Sequence, residues 1–283
     1  MSMEVEWAPD RKSGSAGAAR QTGRTETPAR RRRDPVLTGA AIFGAVFFVF
    51  GLIHLNFDYG QLWKGTLAFV RSWAYLFPPN AAEWQPILAA ALETLYVAVV
   101  GTVLAVAVAF VLAFFAAENV APKTAPLVKG FVSLLRAVPT LVWALIFIVA
   151  VGMGPLPGIL AIFTHAVGML TKMFAQSIEE VDEGVLEALR ATGAGWLQVM
   201  LQGVLPCVAT SFLAWSVFRL EVDIGESTIL GVVGAGGIGW EMANAMRNYE
   251  FDTASFVGMV IFAMVYSVEF ATNRLKNRIR LRG

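Results

Sequence analysis

Cysteine, histidine and charge are what this sequence has least of. A single cysteine, Cys207, in 283 residues excludes an internal disulfide and any metal site built from several thiolates. The two histidines, His54 and His165, lie far apart in apolar stretches and read as packed or interfacial side chains rather than ligands, so no metal is expected. Charged residues make up only 15% of the chain, where a soluble protein carries about 25%. No G-x-x-x-x-G-K-[ST] phosphate loop is present, so the chain does not bind ATP in that manner and carries no cofactor of its own. Neither a strand-rich stretch nor a soluble catalytic domain is visible, and no internal repeat beyond shared hydropathy. No catalytic residue is expected, nor a nucleic-acid partner.

What the chain has in abundance is apolar surface: 57% of its residues are hydrophobic and the mean hydropathy is +0.62. Such an excess needs a solvent other than water, and a bilayer supplies it. Spans of about 20 apolar residues cross the hydrocarbon core, and six are expected: Val36 to Leu55, Ile87 to Ala117, Val128 to Gly152, Leu156 to Gln176, Leu205 to Asp223 and Ala254 to Asn273. Residues 1–34 are rich in Gly, Ser, Thr, Pro and Arg and poor in aliphatics, which predicts a disordered basic tail. A long charged region with no A-x-A-like site after the apolar stretch favours an uncleaved first span over a signal peptide. The arginines Arg30 to Arg33 before the first span, and Arg274, Lys276, Arg278, Arg280 and Arg282 at the end, predict that both termini are cytoplasmic. The domain is then one multi-pass unit over residues 35–283 in the cell's inner or plasma membrane. Residues 117–128 and 177–204 lie inside, and a loop from Asn56 to Pro86 outside, with Trp63, Trp73, Tyr75 and Trp84 as an interfacial belt.

The cytoplasmic segment 177–206 is the most informative. Ile178, Val181, Val185 and Leu189 recur at helical spacing, predicting a helix from Ser177 to Ala191, and Glu179, Glu180, Asp182 and Glu183 make its other side acidic. Gly193 and Gly195 permit a tight turn. A second amphipathic helix is predicted from Trp196 to Gln202, and Pro206 marks entry into the next span. This is a docking device or an amphipathic loop lying on the membrane. The segment resembles the EAA loop of ABC importer permeases, in which Glu-Ala-Ala is followed by three residues, Gly, nine residues, Ile, one residue and Leu-Pro. Glu187, Ala188, Gly193, Leu205 and Pro206 fall on that pattern. Leu189 stands at the second Ala, and Gly203 stands at the Ile, where it lacks an apolar contact. The resemblance implies a coupling helix seated in a cleft of a separate ATPase subunit.

A second segment runs from Phe218 to Gly239, at the outer end of the fifth span. Gly234, Gly236 and Gly239 satisfy G-x-G-x-x-G, but no strand–helix unit accompanies them, so a dinucleotide site is rejected. Five glycines in nine residues, Gly237 among them, disfavour a regular helix and favour an irregular, cavity-lining backbone over simple close packing. Arg219, Glu221 and Asp223 are charges at membrane depth; Arg219 and Asp223, spaced i, i+4, are expected to pair, with a direct role in a substrate path open. Arg136 either snorkels toward the cytoplasm or serves that path, and Pro139 should kink the third span and free backbone carbonyls.

Arg136-Ala-Val-Pro139 with Leu141-Val-Trp143-Ala, together with the Arg219 to Glu226 run, resembles the permeases of phosphonate ABC transporters over residues 90–275; Gly231 to Gly239 is shared with methionine importer permeases. The resemblance implies an all-α, type I importer permease of methionine-permease-like fold, paired with a second identical or related permease chain. It implies two ATPase subunits on the coupling loops, and an extracytoplasmic binding protein that delivers phosphonate, phosphite or phosphate. A permease for methionine or an amine compound is the alternative within the class. An ion-gradient transporter or channel needs no ATPase-docking loop, and a membrane scaffold leaves the buried charges without a purpose.

Overall fold

The computed structural model describes residues 35–55 and 58–280, and the chain divides into two compact units, Met1–Lys64 and Gly65–Gly283. The predicted disordered tail, with Arg30 to Arg33, and the terminal Arg282 lie outside the described residues. Among the described residues every regular element is helical. In the first unit, α1 (Pro35–His54) has no charged side chain and is long and apolar enough to cross a bilayer.

The second unit holds the remaining spans. These are α3 (Trp84–Ala116), the bent pair α4 (Ala125–Ala137) and α5 (Thr140–Val151), α6 (Pro155–Glu179), a long rod over Trp196–Ala235, and α11 (Phe251–Arg280). By length and composition five helices qualify as spans, or six with the bent pair as one. The core lies where α3, α6 and the long rod meet. Ala98, Ala105, Ala109, Ala113 and Ala116 are fully buried on α3, and such small side chains let helix backbones approach closely in lipid. Phe174 of α6 stacks on Phe212 at a centroid distance of 4.1 Å.

Four expectations are corrected. Residues 59–76 form a helix, α2 (Tyr59–Leu76), rather than an outer loop. Its Trp73, between Phe69 and Phe77 in a ladder of rings, is exposed, as are Trp63, Tyr75 and Trp84. The helix predicted over Ser177 to Ala191 is two helices, because α6 runs to Glu179 and α7 (Glu183–Ala191) restarts behind Asp182, whose carboxylate accepts from Gly184 N at 2.7 Å. The helix expected over Trp196 to Gln202 is no separate element. A short α8 (Trp196–Gln198) and a π-helical turn (Val199–Val204) feed directly into α9 (Leu205–Leu230). Pro206 has no N–H for the Gln202 carbonyl, and the widened turn before it absorbs the mismatch. Finally, the fifth span does not end at Asp223. It continues through Leu230 into a second π-helical turn (Gly231–Ala235), so Arg219, Glu221, Asp223 and Glu226 sit within the helix. The chain then reverses into α10 (Ile238–Arg247).

Pro139 breaks the third span by 83°. A proline at 139 leaves the Leu135 carbonyl without its helical donor, and the Trp143 indole N–H supplies one at 3.1 Å.

Candidate functional site

Three constellations follow from this framework. The first surrounds α7. Leu186 is buried beneath the helix, while Glu187 and Ala188 face outward and Leu189 is half-buried. Gly193 closes the turn at φ +82°, a conformation that L side chains rarely adopt; Gly195 has ordinary extended geometry, φ −69°. The base of this loop is tied to residues 117–124. Arg190 donates to Asn119 O at 3.2 Å, Asn119 Nδ2 to Ile178 O at 2.9 Å, and Trp196 stacks on Phe115. The Lys129 ammonium joins Glu118 and Glu179 at 2.7 and 2.8 Å. The two segments expected on one side of the membrane therefore meet at one end of the helices. Leu205 and Pro206 open α9 beside them.

Gly203 does not lack its apolar contact. A Cβ there would strike Leu189 Cδ1, so the leucine at the second Ala position fills the space beside the glycine. The two departures from the EAA pattern are one exchange, in which the large side chain has moved from residue 203 to residue 189.

The second constellation is the glycine reversal. Gly234, Gly236 and Gly237 have φ of +112°, +78° and +71°, so the backbone is irregular. It is also closely packed. A Cβ at Gly236 would meet the Glu93 carboxylate, one at Gly237 the Thr94 hydroxyl, one at Gly239 the Thr228 carbonyl oxygen, and one at Gly231 the Cα of Gly239 at 2.9 Å. Thr94 Oγ1 accepts from Ile238 N at 2.8 Å, and Gly154 N donates to Gly234 O at 3.0 Å. The reversal is thus pinned between α3 and the start of α6, opposite the α7 end. The distance along α3 from Glu93 to Ala116 is about 34 Å.

The third constellation is a buried ion network. Arg219 and Asp223 are 1% and 0% exposed and pair at 2.5 Å, as the i, i+4 spacing predicts. Asp223 also accepts from Thr102 Oγ1 at 2.7 Å, and Arg219 reaches Glu226 at 3.2 Å and Met169 Sδ at 3.4 Å. An unpaired charge in hydrocarbon is heavily penalised, so each member is held by the others. Glu221 points elsewhere, to Lys276 at 2.5 Å and Thr272 at 3.3 Å on α11. Arg136 lies half-buried against Gly168 of α6 with no ion pair or hydrogen bond among the described residues. Sequence reasoning missed Thr94 and Thr102, which look like any small polar residue in an apolar helix; only the helix packing brings Thr102 to Asp223 across 121 residues.

Five or six spans, an irregular membrane-depth reversal, a buried charge network and an exposed helix-turn at one end define a transport subunit of the type I importer-permease class. The chain belongs to the family of binding-protein-dependent transport system inner membrane components, which it matches over residues 109–281. It is 36% identical over 264 residues to the phosphite transport system permease protein PtxC of Stutzerimonas stutzeri, covering 88% of this chain and 95% of that one. To the phosphate-import permease protein PhnE of Mycolicibacterium smegmatis it is 39% identical over 196 residues, 69% of this chain and 37% of that protein. In fold it is similar to the inward-facing MetNI methionine ABC transporter, with a TM-score of 0.62, 21% identity, and coverage of 71% of this chain and 99% of that one.

Proposed function

We propose that this permease subunit imports a phosphorus oxyanion of the phosphite, phosphonate or phosphate type, driven by ATP hydrolysis on a separate subunit. The observation that carries the reading is the likeness to a phosphite permease over nearly its whole length. The α7 helix, with Glu187, Ala188 and Leu189 before Gly193, docks in the ATPase cleft, and Leu205 and Pro206 connect that movement to α9. Both termini lie on the ATPase side, in the cytoplasm. Two permease chains enclose the path, and a binding protein delivers the anion at the glycine reversal. Gly234, Gly236, Gly237 and Gly239 form the gate there, Arg136 lines the path below with the buried Arg219–Asp223 pair bracing the wall behind it, and the Pro139 break lets α4 and α5 move separately. Glu221, locked to Lys276, keeps α9 and α11 together. ATP binding closes the ATPase pair, moves the loops and switches the path between two arrangements.

The test is uptake. Expressed with its ATPase and binding protein in cells lacking their own oxyanion importers, the complex should take up phosphite, phosphate or methylphosphonate. Methionine and glycine betaine should not enter. Uptake of methionine or betaine without any oxyanion would overturn the substrate assignment.

A further inference from the structure

A polar groove between α4 and α6 has no role in the reading above apart from Arg136. Lys129, Ser133 and Arg136 fall at i, i+4 and i+7 on α4, and His165, Lys172, Gln176 and Glu179 recur at helical spacing on α6, so each helix carries one polar stripe. The stripes face each other. At mid-height a Cβ at Gly168 would meet Arg136 Cγ at 2.7 Å and Val132 O at 2.9 Å. Toward the α7 end a cavity of about 230 Å³ is lined by Lys129, Ser133, Lys172, Gln176 and Glu179. At the upper end His165 Nδ1 is buried with no partner among the described residues, within the field of Arg136, Arg219 and Glu226. Met169, one turn further along α6, touches Arg219. The groove thus continues the buried ion network toward the α7 end.

Its charges are unevenly satisfied. The Lys129 ammonium is shared between Glu118 and Glu179, so the three side chains together carry one net negative charge. Lys172 has no ion pair or hydrogen bond among the described residues, although it lies on a membrane-spanning helix seven residues before its end. An ammonium placed about 10 Å from the helix end either snorkels to the headgroups or faces a wet, anion-accessible path. The Gln176 side-chain amide, one turn below, is equally unengaged, and both line the same cavity.

We infer that the α4–α6 groove is an anion track on this subunit's side of the path, and that Lys172, with Gln176, forms the last binding position for a tetrahedral phosphorus oxyanion before its release. The inference rests on the oxyanion function proposed above. Lys172 supplies the charge and Gln176 donates hydrogen bonds, while Ser133, whose hydroxyl donates to Lys129 O at 2.6 Å, lines the wall; the one net negative charge of the Glu118–Lys129–Glu179 cluster keeps the anion from being retained. The site is a weak one, as a release position must be.

The experiment uses the complete transporter in proteoliposomes, with phosphite, phosphate and methylphosphonate as probes. Lys172→Met keeps length and apolar stem while removing charge; it should lower uptake about tenfold, the scale of one lost charge-assisted contact. Lys172→Arg should retain most of it. ATP hydrolysis stimulated by the loaded binding protein should persist in both, because the site acts after coupling. Unchanged uptake by Lys172→Met would mean that the lysine merely snorkels, and loss of both uptake and stimulated hydrolysis would mean a structural role; either result overturns the track. If the unaltered complex moves none of the three oxyanions, the substrate assignment itself fails, and the track falls with it.

Discussion

Gly203 and Leu189 show how a motif can be kept while its residues change. The family pattern resembled by this chain places a small side chain at 189 and a large one at 203, and here the sizes are reversed across the same contact. Packing at that point depends on the summed volume, since interiors tolerate volume-conserving exchanges far better than lone enlargements. Gly203→Ile alone should therefore overpack against Leu189 and cost about 1–3 kcal/mol. Leu189→Ala alone opens a gap beneath a half-buried helix and should cost about 2 kcal/mol. The double variant restores the family arrangement and should lie close to the unaltered protein, with a coupling of at least about 1 kcal/mol. Thermal unfolding of the detergent-solubilised subunit measures this, and additive losses in the double variant would show that the two side chains do not share one space.

At the scale of elements, most of what the sequence revealed came from apolar run length, and most of what it hid came from backbone that changes geometry without changing composition. Five of the six predicted spans match helices that qualify on their own and the third matches the bent pair. Pro139 announced the break in that span, yet nothing in the sequence gave its 83° magnitude or showed the Trp143 indole replacing the lost donor. The α2 helix escaped notice because Lys64 and Arg71 interrupt its apolar run. The stop between α6 and α7 escaped because Ile178, Val181 and Val185 keep helical spacing straight through it. The glycine reversal was legible as irregular, but its pinning by Thr94 and Glu93 was not, since those side chains lie some 140 residues away. That pinning sharpens the expectation for Gly237→Val. A β-branched residue at φ +71° is strained by about 1–3 kcal/mol, and its Cβ meets the Thr94 hydroxyl. At matched membrane abundance oxyanion uptake should be abolished. Gly225→Ala, at a helical glycine with open space around it, should leave uptake intact. Normal uptake by Gly237→Val would remove the reversal from the path.

On the scale of the whole molecule, α6 links everything described. Its first turn holds the glycine reversal through Gly154 and Gly158, its middle faces Arg136 and Arg219, and its last residue, Glu179, anchors residues 117–124 beneath the α7 helix. A 25-residue helix spans about 37 Å, enough to place these contacts on opposite sides of a bilayer. The arrangement therefore requires that Glu187 and the turn between α10 and α11 face different compartments. Cys207 is exposed and is the chain's only cysteine, so replacing it by serine gives a background for single-cysteine labelling. With a membrane-impermeant maleimide, Asn248→Cys should label in right-side-out vesicles and Glu187→Cys only in inverted ones. Adding the ATPase subunit to stripped inverted vesicles should then protect Glu187→Cys while leaving Asn248→Cys unchanged, as the docking proposed for the exposed face of α7 requires. Labelling of both positions from one side would refute the topology. Persistent labelling of Glu187→Cys under a bound ATPase would place the docking surface elsewhere, and the α7 helix could not then be what carries ATPase closure into α6.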